Sequence, residues 1–317
     1  MRMLTRGSRH GIPSKETDMA RKNKKAAASG QKEYKKRSLA AEVWRNYKKN
    51  PSAMIALVLV IVIVFVAIFA QFFYDFKKDI VKQHVKEKFQ KPSAEHWFGT
   101  DNYGRDVFTR VIYGTKYSLS VGVVAVAISC IVGVTLGLIA GYYGGVIEDV
   151  ILRFCEVFTG IPSILMGVAL MTAFGQSIGV LMLAIGLVYS PMYCRTTRAA
   201  VLPVRDQEYI EAARVAGVGD LGIMFNHVLP NALSPIIVQV TMGIASAILC
   251  ASGLSFLGLG VPIPMPEWGA MLSEGREFMR DYMYLTIFPG LAIMITVLSF
   301  NLMGDGLRDA LDPKLKQ

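Results

Sequence analysis

DQEYIEAARVAGVGDLGIMFNHVLP, residues 206–230, is a polar and amphipathic segment in an otherwise very apolar chain. Its pattern predicts two short helices joined by a turn at Gly217 and Gly219, because glycine interrupts a helix and tolerates turn conformations. Asp206 and Asp220 precede the two predicted helices, and aspartate is a favoured N-cap residue. The segment is therefore predicted to be a helical hairpin with Asp206 and Asp220 as its caps.

The second predicted helix carries a single apolar stripe and ends at Pro230, where the run of helical residues is expected to stop. The stripe is spaced at i, i+3, i+4 and i+7, which places its members on one helix face. Those members are Leu221, Met224, Phe225 and Val228. An apolar face on a polar hairpin has to be buried, and a hydrophobic groove on a partner protein is the expected place.

Composition places the rest of the chain in a membrane. Of its 317 residues 53% are hydrophobic, and several apolar runs reach the roughly 20 residues that a helix needs to cross a bilayer. The formal charge is +10, and most of it lies in residues 1–49, which hold 15 Lys and Arg against 4 Asp and Glu. A basic tail beside a span indicates a cytoplasmic anchor at anionic lipid, and no nucleic-acid partner is expected.

The apolar runs predict six transmembrane helices and an all-α integral membrane protein. The expected division has five parts. They are a basic tail (1–50), the first span (51–73), an extracytoplasmic loop (74–116), a five-helix domain (117–305) that contains the 206–230 hairpin, and a tail (306–317). Within the five-helix domain the spans are expected near 118–140, 157–174, 178–194, 234–256 and 284–303.

Basic residues predict the orientation of the spans. The connection between the third and fourth spans, 175–177, has no Lys or Arg, whereas Arg195, Arg198 and Arg205 follow the fourth span. Cytoplasmic connections carry the excess of basic residues, so the hairpin is expected on the cytoplasmic side. Counting spans from there places both termini in the cytoplasm. About fifty residues precede the first span, so removal as a signal peptide is not expected.

The sequence offers no catalytic or metal-binding pattern. The four cysteines and four histidines are dispersed without ligand spacing, and the cysteines are expected to be small buried residues. No GxxxxGK[ST] phosphate-binding loop and no HExxH or GxSxG occurs. The six predicted spans also lack charged residues and histidine, which ion-coupled carriers use at mid-depth. A transporter of this kind is not expected to be an enzyme and has to draw its free energy from a partner.

The hairpin resembles the EAA loop of importer-type permease subunits of ATP-binding-cassette (ABC) transporters. The matching residues are Glu211, Ala212, Ala213, Gly217, Leu229 and Pro230. His227 departs from the pattern, which usually has an aliphatic residue there. The resemblance implies the type I ABC importer permease fold with a cytoplasmic coupling-helix hairpin that docks on an ATPase, the stripe filling the ATPase groove.

A second resemblance is to the C-type permease subunits of dipeptide and oligopeptide importers. It is carried by HWFGTD (96–101), GRD (104–106), RVIYG (110–114) and the C-terminal 304–313. For Asp101, Arg105 and Asp106 it suggests contact with an extracytoplasmic binding protein. A purely structural role for these three residues stays open.

The family implies that the chain lies in the inner membrane of a bacterial or archaeal cell. It also implies further partners. These are a homologous B-type permease, two ATPase subunits that bind ATP and Mg²⁺, a solute-binding protein and a di- or oligopeptide cargo. The chain itself is expected to hold no cofactor. Nickel or another small solute is the alternative cargo. A non-transporting membrane scaffold and, less well supported, a passive channel are the alternative functions.

Overall fold

The computed structural model describes residues 39–311, so most of the predicted basic tail and the last residues of the predicted C-terminal tail lie outside it. By its contacts the chain divides into units 1–42 and 43–317, and of the first unit only the helical turn 39–42 is described. The described chain is almost entirely helical. Its α-helices are α1 (Leu39–Tyr47), α2 (Pro51–Phe73), α3 (Val107–Tyr143), α4 (Gly145–Thr159), α5 (Ser163–Phe174), α6 (Ile178–Arg205), α7 (Glu208–Val215), α8 (Asp220–Ile223), α9 (Leu229–Phe256), α10 (Trp268–Gly275) and α11 (Tyr284–Leu311).

Five helical stretches in the described chain are long and apolar enough to cross a membrane. They are α2, α3, α6, the stretch Asp220–Phe256 that contains α8 and α9, and α11. A sixth span exists only if α4 and α5, bent by 86° relative to each other, are counted together. The all-α fold with up to six spans agrees with the prediction from the sequence.

The predicted third span, 157–174, is not one helix. It is broken at Gly160–Pro162, where proline has no N–H to donate and its ring disfavours a continuous helix. The apolar α5 has 12 residues, which is about 18 Å and too short to cross the hydrocarbon core alone. The polar half, α4, carries Glu148 and Arg153, so apolar content alone placed the start of this span too late.

The predicted loop 74–116 is shorter than expected because α3 begins at Val107. The carboxylate of Asp106 accepts a hydrogen bond from the Thr109 N–H at 2.8 Å and so caps the helix. Val107 and Val111 are buried against Trp268 and other residues of the segment before α11. Residues 107–116 therefore form the first three turns of α3. The sequence pattern predicted only the apolar middle of this helix.

Two other helices run past their predicted ends, α6 to Arg205 and α11 to Leu311. The predicted tail from residue 306 is thus helical as far as the chain is described. Hydropathy marks where a helix leaves the bilayer core, whereas a helix ends where its backbone hydrogen bonds stop. Charged residues such as Arg195 and Arg308 continue these helices beyond the apolar segment.

The centre of the bundle is the close packing of α3 on α6. Gly133, Gly137 and Gly141 face α6, and their spacing of four residues leaves one side of α3 smooth enough for close approach. A Cβ atom added at Gly141 would lie 2.8 Å from the Cβ of Val201. One added at Gly137 would collide with the carbonyl oxygen of Cys194. The two backbones are therefore in direct contact over about two turns.

Candidate functional site

The segment 206–228, called here the coupling hairpin, is α7 followed by a tight turn and α8. The turn is closed by two backbone hydrogen bonds, from the Gly217 N–H to the Arg214 oxygen at 3.0 Å and from the Val218 N–H to the Ala213 oxygen at 3.1 Å. Gly217 has φ = +83°, in the left-handed region that favours glycine. An added Cβ there would meet no atom within 4 Å. The turn needs Gly217 for its backbone conformation and not for space.

Both predicted N-caps are wrong. Asp206 is the residue that ends α6, and Gln207 precedes α7 without a side-chain hydrogen bond to it. Asp220 is the first residue of α8, after Gly219. Its carboxylate accepts a hydrogen bond from the Tyr142 hydroxyl at 2.7 Å instead of capping its own helix. Asp220 thus links the hairpin to the end of α3.

Pro230 does not end the second helix of the hairpin. The chain continues from α8 through a π-helical turn, Met224–Val228, into α9, where Pro230 is the second residue. The Leu229 N–H bonds to the Met224 oxygen, five residues back, and proline is accepted in the first turn because no N–H is needed there. The hairpin is therefore rigidly continuous with a membrane span on this side.

The apolar stripe divides into a buried half and an exposed half. Met224 is 2% exposed and Val228 0%, both packed in a cluster with Leu138 of α3. Leu221 and Phe225 are 68% and 50% exposed. The prediction that all four residues fill a partner's groove is therefore wrong for Met224 and Val228. Leu138 and Tyr142 of α3 and Val201 of α6 already cover that face.

The other residues of the EAA-like pattern lie around the exposed surface of the hairpin. Glu211 and Ala212 on α7 are exposed, and Ala213 is half-buried beside the inner cluster. At the start of α9, Leu229 is half-buried and Pro230 is exposed. Val215, at the end of α7, adds a third exposed apolar side chain to Leu221 and Phe225. The hairpin thus presents small and apolar side chains on a polar element.

At the other end of α3, four charged side chains form a buried group, called here the charge cluster. The members are Asp101, Arg105, Arg110 and Glu274. Arg105 donates to the Asp101 carboxylate at 2.6 Å and to Glu274 at 2.7 Å. Arg110 donates to the same two carboxylates, each at 3.1 Å. The two guanidinium side chains are only 2% and 1% exposed, so the cluster is a structural tie between the 101–110 segment and α10.

The predicted binding-protein contact does not agree with this geometry. Asp101 and Arg105 are buried and paired inside the chain, so their charges are not free to meet a partner surface. Asp106 caps α3 and pairs with the Nδ1 atom of His96 at 2.9 Å. The structural alternative left open for these residues is the one that the contacts support. Their partner Glu274 is 169 residues from Arg105 in sequence, so no local pattern could have identified it.

Burial also changes the acidity of Glu274. Removal from water raises the pKa of this carboxyl to about 7, and Arg105 beside it opposes that rise while Asp101 adds to it. The neighbouring Glu267 is buried as well, and it caps α10 by accepting from the Gly269 and Ala270 N–H groups, both at 2.9 Å. Glu274 thus joins α10 to Arg110 of α3, and Glu267 caps α10.

The described residues hold no group of three or more His, Cys, Asp or Glu side chains able to bind a metal. All four cysteines lie in the described part and are free. Helices long and apolar enough to span a membrane, together with a hairpin that exposes apolar side chains, define a membrane-embedded protein with a surface suited to a partner protein. The comparisons with known proteins identify which one.

Residues 133–317 match the family described as "Binding-protein-dependent transport system inner membrane component". The chain belongs to this family and is the permease component of an ABC importer, a transport protein and not an enzyme. Residues 38–92 match the "N-terminal TM domain of oligopeptide transport permease C". The protein is accordingly a multi-pass inner-membrane protein of a system that also includes a binding protein and ATPase subunits.

Curated relatives resemble most of the chain. A dipeptide transport system permease protein of Alkalihalophilus pseudofirmus is 45% identical over 87% of this chain and 90% of its own length. The corresponding protein of Haemophilus influenzae is 49% identical over 69% of this chain and 74% of its own. A glutathione transport system permease protein of Pectobacterium atrosepticum is 46% identical over 71% of this chain and 75% of its own length.

Solved structures show the same fold at low sequence identity. A chain of the MetNI methionine ABC transporter, in an inward-facing conformation, superposes with a TM-score of 0.53 at 16% identity over 64% of this chain and 97% of its own. A chain of an amino acid ABC transporter superposes with a TM-score of 0.50 at 18% identity. The match covers 63% of this chain and 94% of that one. The architecture of the bundle is thus that of ABC importer permeases.

Proposed function

We propose that this chain is the C-type permease subunit of a di- or oligopeptide importer and that the coupling hairpin docks on an ATPase. The observation that carries the docking surface is the exposed apolar group Val215, Leu221 and Phe225 on an otherwise polar element. Such a group is stabilised when a partner's groove removes it from water. Glu211 borders this surface as a polar contact, and Gly217 sets the angle between the two helices.

The proposed cargo follows from the relatives, two of which carry dipeptide transport in their names and one glutathione transport. All three names describe peptides or a peptide-like compound, so a short peptide is the cargo best supported. Nickel or another small solute is the second candidate, because no residue of the described chain distinguishes the two. Selection between solutes is expected in the binding protein.

The proposed assembly has one copy of this chain, a homologous B-type permease, two ATPase subunits that bind ATP and Mg²⁺, and an extracytoplasmic binding protein. The hairpin and both termini face the cytoplasm in this proposal, since basic residues flank the hairpin side of the spans. The loop 74–106 and α10 then face outward.

Docking is tested with Phe225→Asp and the matched variant Phe225→Leu in the full complex. The carboxylate has to be desolvated in the groove, so co-purification of the ATPase and ATP-dependent dipeptide uptake are expected to fall about thirtyfold or more. Phe225→Leu keeps an apolar contact and should retain most of both activities. Unchanged co-purification and uptake in Leu221→Asp/Phe225→Asp would refute the proposed docking surface. A complex that docks normally but imports nickel and no peptide would instead refute the cargo.

A further inference from the structure

The end of α3 contacts both helices of the coupling hairpin through Tyr142, and the neighbouring Tyr143 hydroxyl also donates to Asp220, at 3.4 Å. The Tyr142 hydroxyl donates to the Asp220 carboxylate of α8 at 2.7 Å. It also accepts from the Arg214 guanidinium, on α7, at 3.4 Å. Tyr142 itself is buried in the cluster that includes Met224 and Val228. One phenol therefore connects the two arms of the hairpin on either side of the Gly217 turn.

This contact is the hairpin's polar link to a helix that is not its neighbour in sequence. The first arm follows α6 and the second continues into α9, so both of those helices are joined to the hairpin covalently. Helix α3 is joined to it through packing and through the hydroxyls of Tyr142 and Tyr143. The Arg205 guanidinium adds a bond from the end of α6 to the Gly141 oxygen at 2.7 Å, next to Tyr142.

Helix α3 also reaches the charge cluster at its other end. It has 37 residues, which corresponds to about 55 Å and exceeds the roughly 30 Å hydrocarbon core of a bilayer. Arg110, in its first turn, bonds to Glu274 of α10, while Tyr142, in its last turn, bonds to Asp220. Close packing on α6 over three glycine positions leaves little freedom for α3 to bend between these two ends.

We propose that Tyr142 and Asp220 are positioning residues that make α3 follow the coupling hairpin, so that a movement of the hairpin reaches α10 and the charge cluster. This inference rests on the proposed docking of the hairpin on an ATPase and adds the path by which the movement crosses the membrane. Without the Tyr142 hydroxyl, the hairpin still docks and still moves α6 and α9. Helix α3 then follows the hairpin only through the Tyr143 bond and through its packing on α6 and in the buried cluster, so its movement is smaller.

The test compares Tyr142→Phe, Asp220→Ala and Asp220→Asn in the assembled complex with peptide and binding protein present. Uptake per ATP hydrolysed is one readout. The other is the ATP-induced fluorescence change of an environment-sensitive thiol probe at Met279→Cys, an exposed position just after α10. Tm and ATPase co-purification are measured on the same samples, so that a loss of folding or of docking is distinguished from a loss of coupling.

Asp220→Ala is expected to reduce both readouts about tenfold, roughly the factor that one hydrogen bond contributes to an equilibrium between two states, and Tyr142→Phe, which leaves the longer Tyr143 bond, is expected to reduce them less. Asp220→Asn keeps an acceptor oxygen and should stay within about twofold of the unaltered protein. Because Asp220 is exposed, its variants test the bond even if Tyr142→Phe destabilises the buried cluster.

Unchanged uptake per ATP in Asp220→Ala overturns the proposal. An equally large loss in Asp220→Asn and Asp220→Ala also overturns it, because the charge of Asp220 and not its hydrogen bond would then be what matters. A failure of the underlying docking proposal is distinguishable, because it shows in the unaltered protein as absent ATPase co-purification.

Discussion

The coupling hairpin and the charge cluster are the two polar regions that the sequence associates with partner proteins, and they use their residues in opposite ways. The hairpin buries Met224 and Val228 within the chain and leaves Leu221 and Phe225 in solvent. The charge cluster buries its charges, with both arginines paired to two carboxylates. Family-like residues therefore form a contact surface at one end of α3 and an internal brace at the other. Burial, which a motif does not report, separates the two roles.

The largest effect is expected from removing a member of the charge cluster. Arg110→Ala leaves the Asp101 and Glu274 carboxyls short of a partner in a buried site, a change that costs about 3–5 kcal/mol of stability. Thermal unfolding of the purified protein in detergent measures it. Arg280→Ala, at an exposed position at the same end, is the control and should leave Tm unchanged. Equal Tm values for the two variants would show that the charge cluster does not stabilise the fold.

Neighbouring residues of the hairpin test the division of its apolar stripe. Met224→Ala opens a cavity in a packed cluster and is expected to cost about 2–4 kcal/mol. Phe225→Ala removes a half-exposed side chain and should change the stability of the isolated subunit by about 0.5 kcal/mol or less. In the assembled complex the order should reverse for ATPase co-purification. A similar loss of stability in both variants would mean that the stripe is not divided.

The turn of the hairpin offers a matched pair of glycines. Gly217→Ala places a Cβ at φ = +83° and is expected to destabilise the turn by about 1–2 kcal/mol. Gly219→Ala, at φ = −68°, is compatible with an L-residue and should be neutral or slightly stabilising. Neither added Cβ meets an atom within 4 Å, so sterics are equal in the two variants. Hydrogen exchange of the 206–228 amides distinguishes them, and equal protection would contradict the conformational argument.

These contrasts mark how far the sequence could predict the molecule. Periodicity and Gly217 correctly predict two short helices and a turn, because they are local features. Periodicity also shows that Met224 and Val228 share a face with Leu221, but it cannot show that α3 and α6 cover only half of that face. The helix ends were placed wrongly for a related reason. The cap of α3 depends on a hydrogen bond from the Thr109 N–H to the Asp106 carboxylate, and the continuation through Pro230 depends on backbone hydrogen bonds; hydropathy reports neither.

A pH dependence is expected that only the charge cluster should show. The pKa of Glu274 is about 7 in the folded chain against an ordinary value of 4.5, so between these pH values the folded protein holds a proton that the unfolded chain has released. The contribution of Glu274 to stability is therefore largest at low pH and falls as the pH rises through about 7.

Glu274→Gln cannot release a proton and should lack this fall, while keeping side-chain bonds to Arg105 and Arg110. We expect the Tm of the variant minus that of the unaltered protein to increase between about pH 5 and pH 8, as linkage requires. A difference that stays constant across this range would show that Glu274 is ionised throughout. Phe225→Leu, which alters only the hairpin, should show no such trend.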